Sequence, residues 1–128
     1  MNSGKATLVI DAGNTAIKVA LFENDVLIHT HRFGTKDTHQ IAALVEQINP
    51  HSCVLSSVLN GNDTEAIESL LVNVFRVNKQ AKFPIHLQYK TIETLGMDRL
   101  CNVIAMHTIF PTKNCVSIPY KCWIGKTQ

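Results

Sequence analysis

The sequence carries little charge, few aromatic residues and no long apolar run. Charged residues make up 17% of the 128 residues and the net charge is +2, which excludes strong electrostatic attraction to nucleic acid or to an anionic membrane. No apolar run approaches the roughly 20 residues that a membrane-spanning helix needs. The polar start, residues 1–7, is unlike a signal peptide. We therefore expect a cytoplasmic globular domain without nucleic-acid or membrane partners.

The cysteines and histidines lack the spacing of a metal site. None of the four cysteines belongs to a CxxC pair, and we expect free, buried thiols rather than a disulfide framework. His29 and His31 share one face of a predicted strand, but no third ligand is evident near them. We interpret the pair as part of a solvated strand face.

Hydrophobic residues make up 45% of the chain, which is enough for one modest domain with a core. Apolar runs predict strands over residues 6–11, 15–22 and 26–33, and the short polar turns between them predict a meander. Next come a helix that Asp37 or Thr38 caps, a strand over 52–58, and a helix that Asn62 or Asp63 caps and that ends near Val72.

The remaining elements predict a mixed sheet. A strand over residues 74–77, a helix over 98–109 and the start of a strand over 114–118 complete the pattern. The helix between the meander and the fourth strand predicts a crossover, and hence parallel pairing. The expected fold is an α/β domain with a mixed five-stranded sheet and flanking helices.

The polar turn after the first strand is the first candidate site. Asp11 ends an apolar run, and Gly13 and Asn14 are residues that tolerate a left-handed backbone. A turn without bulky side chains lets backbone N–H groups approach an anion, and a Mg²⁺ ion would bridge that anion to Asp11. A plain hairpin is the alternative, because Asp, Gly and Asn are ordinary turn residues.

The second candidate site is the polar start of the predicted helix at residue 98. Gly96 lets the backbone approach a ligand, and the helix dipole favours an ionised Asp98. Such a carboxylate can take the proton of an attacking hydroxyl, and the forked donors of Arg99 suit a substrate carboxylate. The alternative makes Asp98 a first-turn acid or helix cap and Arg99 a surface charge.

The two motifs, in this order, resemble those of the type III pantothenate kinases. The family's first phosphate motif is similar to Asp11-Ala12-Gly13-Asn14-Thr15 with Lys18, and its next stretch is similar to Ser56-Ser57-Val58. Its substrate motif resembles Tyr89 and Gly96-Met97-Asp98-Arg99, followed by Asn102 and Ala105. The resemblance extends over roughly residues 7–118, which is most of the chain.

The resemblance implies one lobe of an actin-like ATPase fold of the ribonuclease H-like class. The implied reaction is ATP-dependent phosphorylation of the pantothenate 4′-hydroxyl, the first step of coenzyme A synthesis. The implied ATP phosphate site, with Mg²⁺ at Asp11, comprises Asp11, Ala12, Gly13, Asn14, Thr15, Ala16, Ile17 and Lys18. The implied pantothenate site, with Asp98 as proton acceptor, comprises Tyr89, Gly96, Met97, Asp98 and Arg99. A homodimer and a monovalent cation, K⁺ or NH₄⁺, are also implied.

The end of the chain departs from the family's pattern. By the resemblance, Pro119 stands where the family has an Asp of its monovalent-cation site, and Lys121 and Cys122 replace the Gly and the Thr that meet ATP. We expect residues 1–110 to form the first lobe and 111–128 to begin a second lobe with a divergent tail, as in a truncated or frame-disrupted kinase. These residues alone are expected to have weak or no kinase activity.

Two other functions stay open on the sequence. A non-catalytic nucleotide-binding or regulatory module could use the same turn, and a plain structural domain could carry the motifs by coincidence. The GxDR motif with Tyr89 favours a kinase, because a nucleotide sensor has no need of an acceptor for a substrate proton. Pantothenate binding separates the kinase from the module.

Overall fold

The computed structural model describes residues 5–78, 96–112, 115–118 and 121–124. The chain divides into two compact units, Met1–Val77 and Asn78–Gln128. The division predicted at residue 110 stays a prediction. Within the described residues, no helix has the length and apolar character needed to cross a membrane.

The first unit is built on a five-stranded mixed sheet. Its strands are β1 (Ala6–Ala12), β2 (Ile17–Glu23), β3 (Val26–Phe33), β4 (Ser52–Ser57) and β5 (Val74–Arg76), and its helices are α1 (Thr38–Ile48) and α2 (Gly61–Glu68). The strand order is β3-β2-β1-β4-β5. Neighbours among β1, β2 and β3 pair antiparallel, whereas β4 is parallel to both β1 and β5. The predicted mixed sheet, with a parallel crossover, is confirmed.

One face of this sheet carries the core. Alternate residues of β1 and β2 are buried on it, and α1 and α2 add apolar side chains to the same cluster: Leu8, Ile10, Ala12, Ile17, Val19, Leu21, Ile41, Val45 and Ile67. Burial of each Leu or Ile side chain contributes about 1.5–3 kcal/mol. Because side chains alternate along a strand, the intervening residues of β1, such as Val9 and Asp11, lie on the opposite face.

The turn between β2 and β3 is a two-residue hairpin. Glu23 pairs with Val26, and Asn24 and Asp25 between them have φ values of 50° and 65°. Positive φ at both central residues is typical of the hairpin turns whose twist matches the flanking strands. Asn and Asp adopt this backbone more readily than most residues, which explains their place here.

Helix α2 differs from its prediction at both ends. Asn60, and not Asn62 or Asp63, is the N-cap: its extended backbone directs the side-chain oxygen at the Asp63 N–H, which donates to it at 2.8 Å. The helix ends at Glu68 rather than near Val72. The chain must turn by then, because β5 begins only a few residues later.

The second unit contains α3 (Met97–Ile109), β6 (Cys115–Ile118) and β7 (Lys121–Ile124). Leu100 and Met106 are buried on α3. The predicted helix over 98–109 is confirmed, and so is the predicted strand start over residues 115–118, whereas residue 114 lies outside the described residues. Strand β7, which pairs antiparallel with β6, was not predicted, although Trp123 and Ile124 are residue types that favour strands.

Candidate functional site

Residues 13–16 form a narrow turn between β1 and β2. The Gly13 N–H donates to the Ala16 carbonyl at 3.0 Å, and a Cβ on Gly13 would lie 3.2 Å from that same oxygen. Neither Gly13 nor Asn14 has a positive φ, although both residue types tolerate one. A four-residue connection does not require the positive φ values of a two-residue hairpin. Gly13 is suited to the turn by its lack of a side chain.

The eight residues of the predicted phosphate site divide by exposure. The buried members, which can offer a ligand only their backbones, are Ala12, Ala16 and Ile17. The side chains of Asn14, Thr15 and Lys18 are exposed, and Asp11 is half-buried. The buried apolar residues therefore attach the turn to the core, and the side chains of the polar residues remain accessible to a ligand.

Four polar residues lie side by side across the sheet on the face opposite the core. Asp11 pairs with Lys18 of β2 and with Ser56 of β4, and Lys18 pairs with Arg32 of β3. Directly paired residues project from the same face, and neighbouring strands are about 4.8 Å apart. We call this line of Arg32, Lys18, Asp11 and Ser56 the polar row.

A pocket of about 420 Å³ lies over β1, β2 and β3 at the polar row. Its lining includes the charged side chains of Asp11, Lys18 and Arg32, together with Val9 and Ala20. This volume falls in the range of pockets that hold small molecules, and charged groups beside an apolar floor are what such pockets use to orient a ligand.

Ser56 has an unusual environment for a hydroxyl. The residue is 7% exposed, and its Oγ has no hydrogen-bond partner in the part of the chain that the structure describes. The next residue differs: the Ser57 Oγ lies 2.8 Å from the Thr64 Oγ1 and accepts the Leu59 N–H at 3.1 Å. Leaving a buried hydroxyl unpaired costs about 1–3 kcal/mol, so Ser56 is suited to a ligand atom beside Asp11.

Arg32 was not recognised from the sequence, and Ser56 was recognised only as part of a resembling stretch. Both enter the site through the register of the sheet, which places them in line with Asp11 and Lys18. Their one signal in the sequence is alternation along a strand. Alternation does not give the pairing partner, and the β2–β3 ladder also shifts register between Leu21 and Phe22.

The second predicted motif lies in the second unit. Gly96 is the N-cap of α3 with an extended backbone, and Met97, Asp98 and Arg99 are the first three helical residues. The side chain of Arg99 is exposed. Tyr89 lies outside the described residues. The structure therefore gathers the GxDR residues at one helix start, and their place beside the β1–β2 turn stays a prediction.

A model of the type III pantothenate kinase family matches residues 7–120, which include both motifs. The chain belongs to the type III pantothenate kinase family. The type III pantothenate kinase of Cytophaga hutchinsonii is 34% identical to it over 107 residues, which are 84% of this chain and 44% of that protein. The Bacteroides fragilis enzyme is 29% identical over 113 residues, which are 87% of this chain and 46% of that protein.

The chain spans less than half the length of these two type III pantothenate kinases. A solved structure from Bacteroides thetaiotaomicron, described as a protein with an actin-like ATPase fold and unknown function, matches with a TM-score of 0.48 at 18% identity. That match covers 62% of this chain and 35% of the other.

Proposed function

We propose that this chain is the phosphate-binding lobe of a type III pantothenate kinase, which transfers a phosphoryl group from ATP to the 4′-hydroxyl of pantothenate. The observation that supports this most is the pairing of Asp11 with Lys18 beside the narrow turn, in a chain of this family. A carboxylate and a cation at a turn without bulky side chains fit a metal-bound phosphate chain.

The oxygen atoms near the turn suit Mg²⁺. Asp11 offers a carboxylate and Ser56 a buried hydroxyl, and Mg²⁺ prefers such ligands together with phosphate oxygens. Bound there, Mg²⁺ would supply charge neutralisation of the transferred phosphoryl group. The Gly13 N–H already donates to the Ala16 carbonyl, so the other backbone N–H groups of the turn would meet the phosphate. No cluster of three metal-binding side chains occurs in the described segments, so phosphate oxygens would complete the metal's shell.

The start of α3 supplies the substrate side of the proposal. Asp98, in the first turn of α3, would accept the proton of the pantothenate hydroxyl, and Arg99 would bind the pantothenate carboxylate through its forked donors. A homodimer and a monovalent cation, K⁺ or NH₄⁺, complete the proposal. Pro119, at the family's cation position, lies outside the described residues.

The site is tested by titration calorimetry with Mg²⁺–ATP on the wild-type chain and two matched variants. Asp11→Asn removes the carboxylate of the polar row, and Asp25→Asn removes one carboxylate at the other end of β2, where the backbone suits Asn. We expect the first to weaken Mg²⁺–ATP binding at least about tenfold and the second to leave it unchanged. Equal binding by all three proteins would overturn the phosphate site.

A nucleotide-binding module without catalysis is the second candidate. One observation favours it: the whole polar row lies in the first unit, whereas the GxDR residues lie in the second. Calorimetry with pantothenate separates the two candidates. Binding that Asp98→Asn abolishes supports the kinase lobe, and ATP binding by a chain that does not bind pantothenate supports the module.

Kinase activity of residues 1–128 alone is proposed to be weak or absent. Phosphoryl transfer depends on groups positioned around the whole reacting centre, and the relatives that bear the kinase name are about twice as long as this chain. Formation of phosphopantothenate by this chain at rates typical of kinases, about 1–100 s⁻¹, would contradict this part of the proposal if Asp98→Asn abolished it. Since ATP is the donor, the proposal places the reaction in the cytoplasm.

A further inference from the structure

Arg32 belongs to the polar row but to neither recognised motif. It lies directly opposite Lys18 in the β2–β3 ladder, its side chain is exposed, and both residues line the pocket that Asp11 also lines. Like charges at directly opposite positions of neighbouring strands destabilise a sheet. An anion between the two side chains would reverse this effect.

The described residues supply no such anion. No carboxylate forms an ion pair with Lys18 or Arg32 in the parts of the chain that the structure covers. Arg76 shows the contrast, because its guanidinium is 3.6 Å from the Glu68 carboxylate. Among the residues that the structure describes, no carboxylate therefore pairs with the Arg32 guanidinium.

We propose that Lys18 and Arg32 form a two-cation site for the terminal phosphates of a metal-bound polyphosphate. From Asp11 to Arg32 the charges along the polar row run negative, positive, positive. A metal-bound phosphate chain has the complementary order, with its cation at one end and its phosphate oxygens at the other. The metal would lie toward Asp11, and the terminal phosphate toward β3.

The side-chain chemistry of Arg32 refines the ligand class. A guanidinium binds two phosphate oxygens at once, whereas the Lys18 ammonium acts as a point charge. Two cations on adjacent strands therefore favour a polyphosphate over a single phosphate, and neither contact requires a nucleoside. Inorganic tripolyphosphate with Mg²⁺ is expected to bind at this site as ATP does. The two-cation site extends the proposed ATP site. Only the identification of ATP as its ligand rests on the proposed function, because the phosphate contacts do not involve the nucleoside.

Titration calorimetry with Mg²⁺–tripolyphosphate and Mg²⁺–ATP tests the proposal on the intact chain. The variants are Arg32→Gln, Arg32→Lys and, as the matched control, Lys36→Gln. Lys36 is exposed, lies four residues further along the chain and does not line the pocket, so its loss changes the net charge equally. Circular dichroism checks that each variant is folded, which we expect because residue 32 is exposed on an edge strand.

We expect Arg32→Gln to lower the affinity for both ligands about tenfold or more. Arg32→Lys should lower these affinities less, and Lys36→Gln should change neither. Unchanged affinity in a folded Arg32→Gln protein overturns the two-cation site, and so does a wild-type chain that does not bind tripolyphosphate. If the wild type binds ATP through Asp11 but Arg32→Gln binds it equally well, only this inference fails. If tripolyphosphate binds through Arg32 and ATP does not bind, the inference stands and the proposed kinase function fails.

Discussion

Asp11 and Ser56 are direct neighbours in the parallel ladder between β1 and β4. The pairing places a buried hydroxyl without a hydrogen-bond partner, within the described residues, beside the carboxylate that the family resemblance assigns to the metal. A hydroxyl in this state favours a ligand-bound protein over a ligand-free one, because the ligand would supply the missing contact. We therefore expect a bound ligand to supply the hydrogen bond that the Ser56 hydroxyl lacks within the described residues.

Ser56→Ala is expected to leave the free energy of unfolding unchanged or to raise it by about 1 kcal/mol, because it removes a buried hydroxyl that has no partner among the described residues. Ser57→Ala, the matched control, is expected to lower it by about 1–2 kcal/mol, because Ser57 bonds to Thr64 and Leu59. Urea unfolding followed by circular dichroism measures both. Equal destabilisation would show that the Ser56 hydroxyl is paired in the folded chain.

The same two variants separate stability from binding. Ser56→Ala is expected to weaken Mg²⁺–ATP binding although it does not destabilise the protein. Ser57→Ala is expected to affect stability more than binding, since the Ser57 hydroxyl already has partners within the fold. Calorimetry of both variants in the same buffer measures this. Full ATP affinity in Ser56→Ala would remove Ser56 from the site.

Asn60→Ala tests the start of α2. Its side-chain oxygen accepts the Asp63 N–H at 2.8 Å, and loss of such an N-cap costs about 1 kcal/mol. Asn62→Ala is the control, because Asn62 is exposed within the helix and Ala favours a helix there. Thermal unfolding should show a lower midpoint for Asn60→Ala alone. A lower midpoint for Asn62→Ala would instead indicate that Asn62 caps the helix, as the sequence predicted.

Cys53 gives a pH-dependent prediction. Burial raises the pKa of its thiol above the ordinary 9.0, and a hydrogen bond with the Val72 backbone offsets part of this rise. The unfolded chain therefore loses this proton at a lower pH than the folded chain does. The contribution of Cys53 to stability is complete below about pH 9 and declines as the pH rises toward the raised pKa.

Unfolding free energies measured between about pH 7.5 and 10, a range that brackets the ordinary thiol pKa, check this. We expect the wild-type curve to fall more steeply above about pH 9 than the curve of Cys53→Ala, which has no thiol at this position. The comparison cancels the titration of the other groups. Parallel curves would show that the folded and unfolded states hold this proton equally.

The sheet could be predicted from the sequence because its strands contain consecutive apolar residues between short turns. The run at 8–10 predicts β1, and the run at 26–28 begins β3. The parallel position of β4 also followed, since a helical crossover returns the chain in the same direction. These features are local, or depend on one connection.

Features that depend on competition between neighbouring groups were predicted less well. Asn60, Asn62 and Asp63 are all good caps, and in the structure the Asn60 side chain accepts the first-turn N–H, that of Asp63. The sequence shows that Gly13 tolerates a positive φ, but not that the length of the turn removes the need for one. Arg32 joins the site only through the register of two ladders, which no single strand specifies.

The proposed kinase lobe requires that the turn at residues 13–16 and Asp11 hold a metal-bound phosphate chain. Amide NMR spectra recorded while Mn²⁺–ATP is added test it directly, because paramagnetic Mn²⁺ broadens the signals of nearby residues. We expect the signals of Gly13 and Lys18 to broaden first and those of Asn24 and Asp25 to stay sharp, since β2 separates the two turns by about 20 Å. Broadening centred on Asn24 and Asp25, or spread evenly over the sheet, would contradict the account.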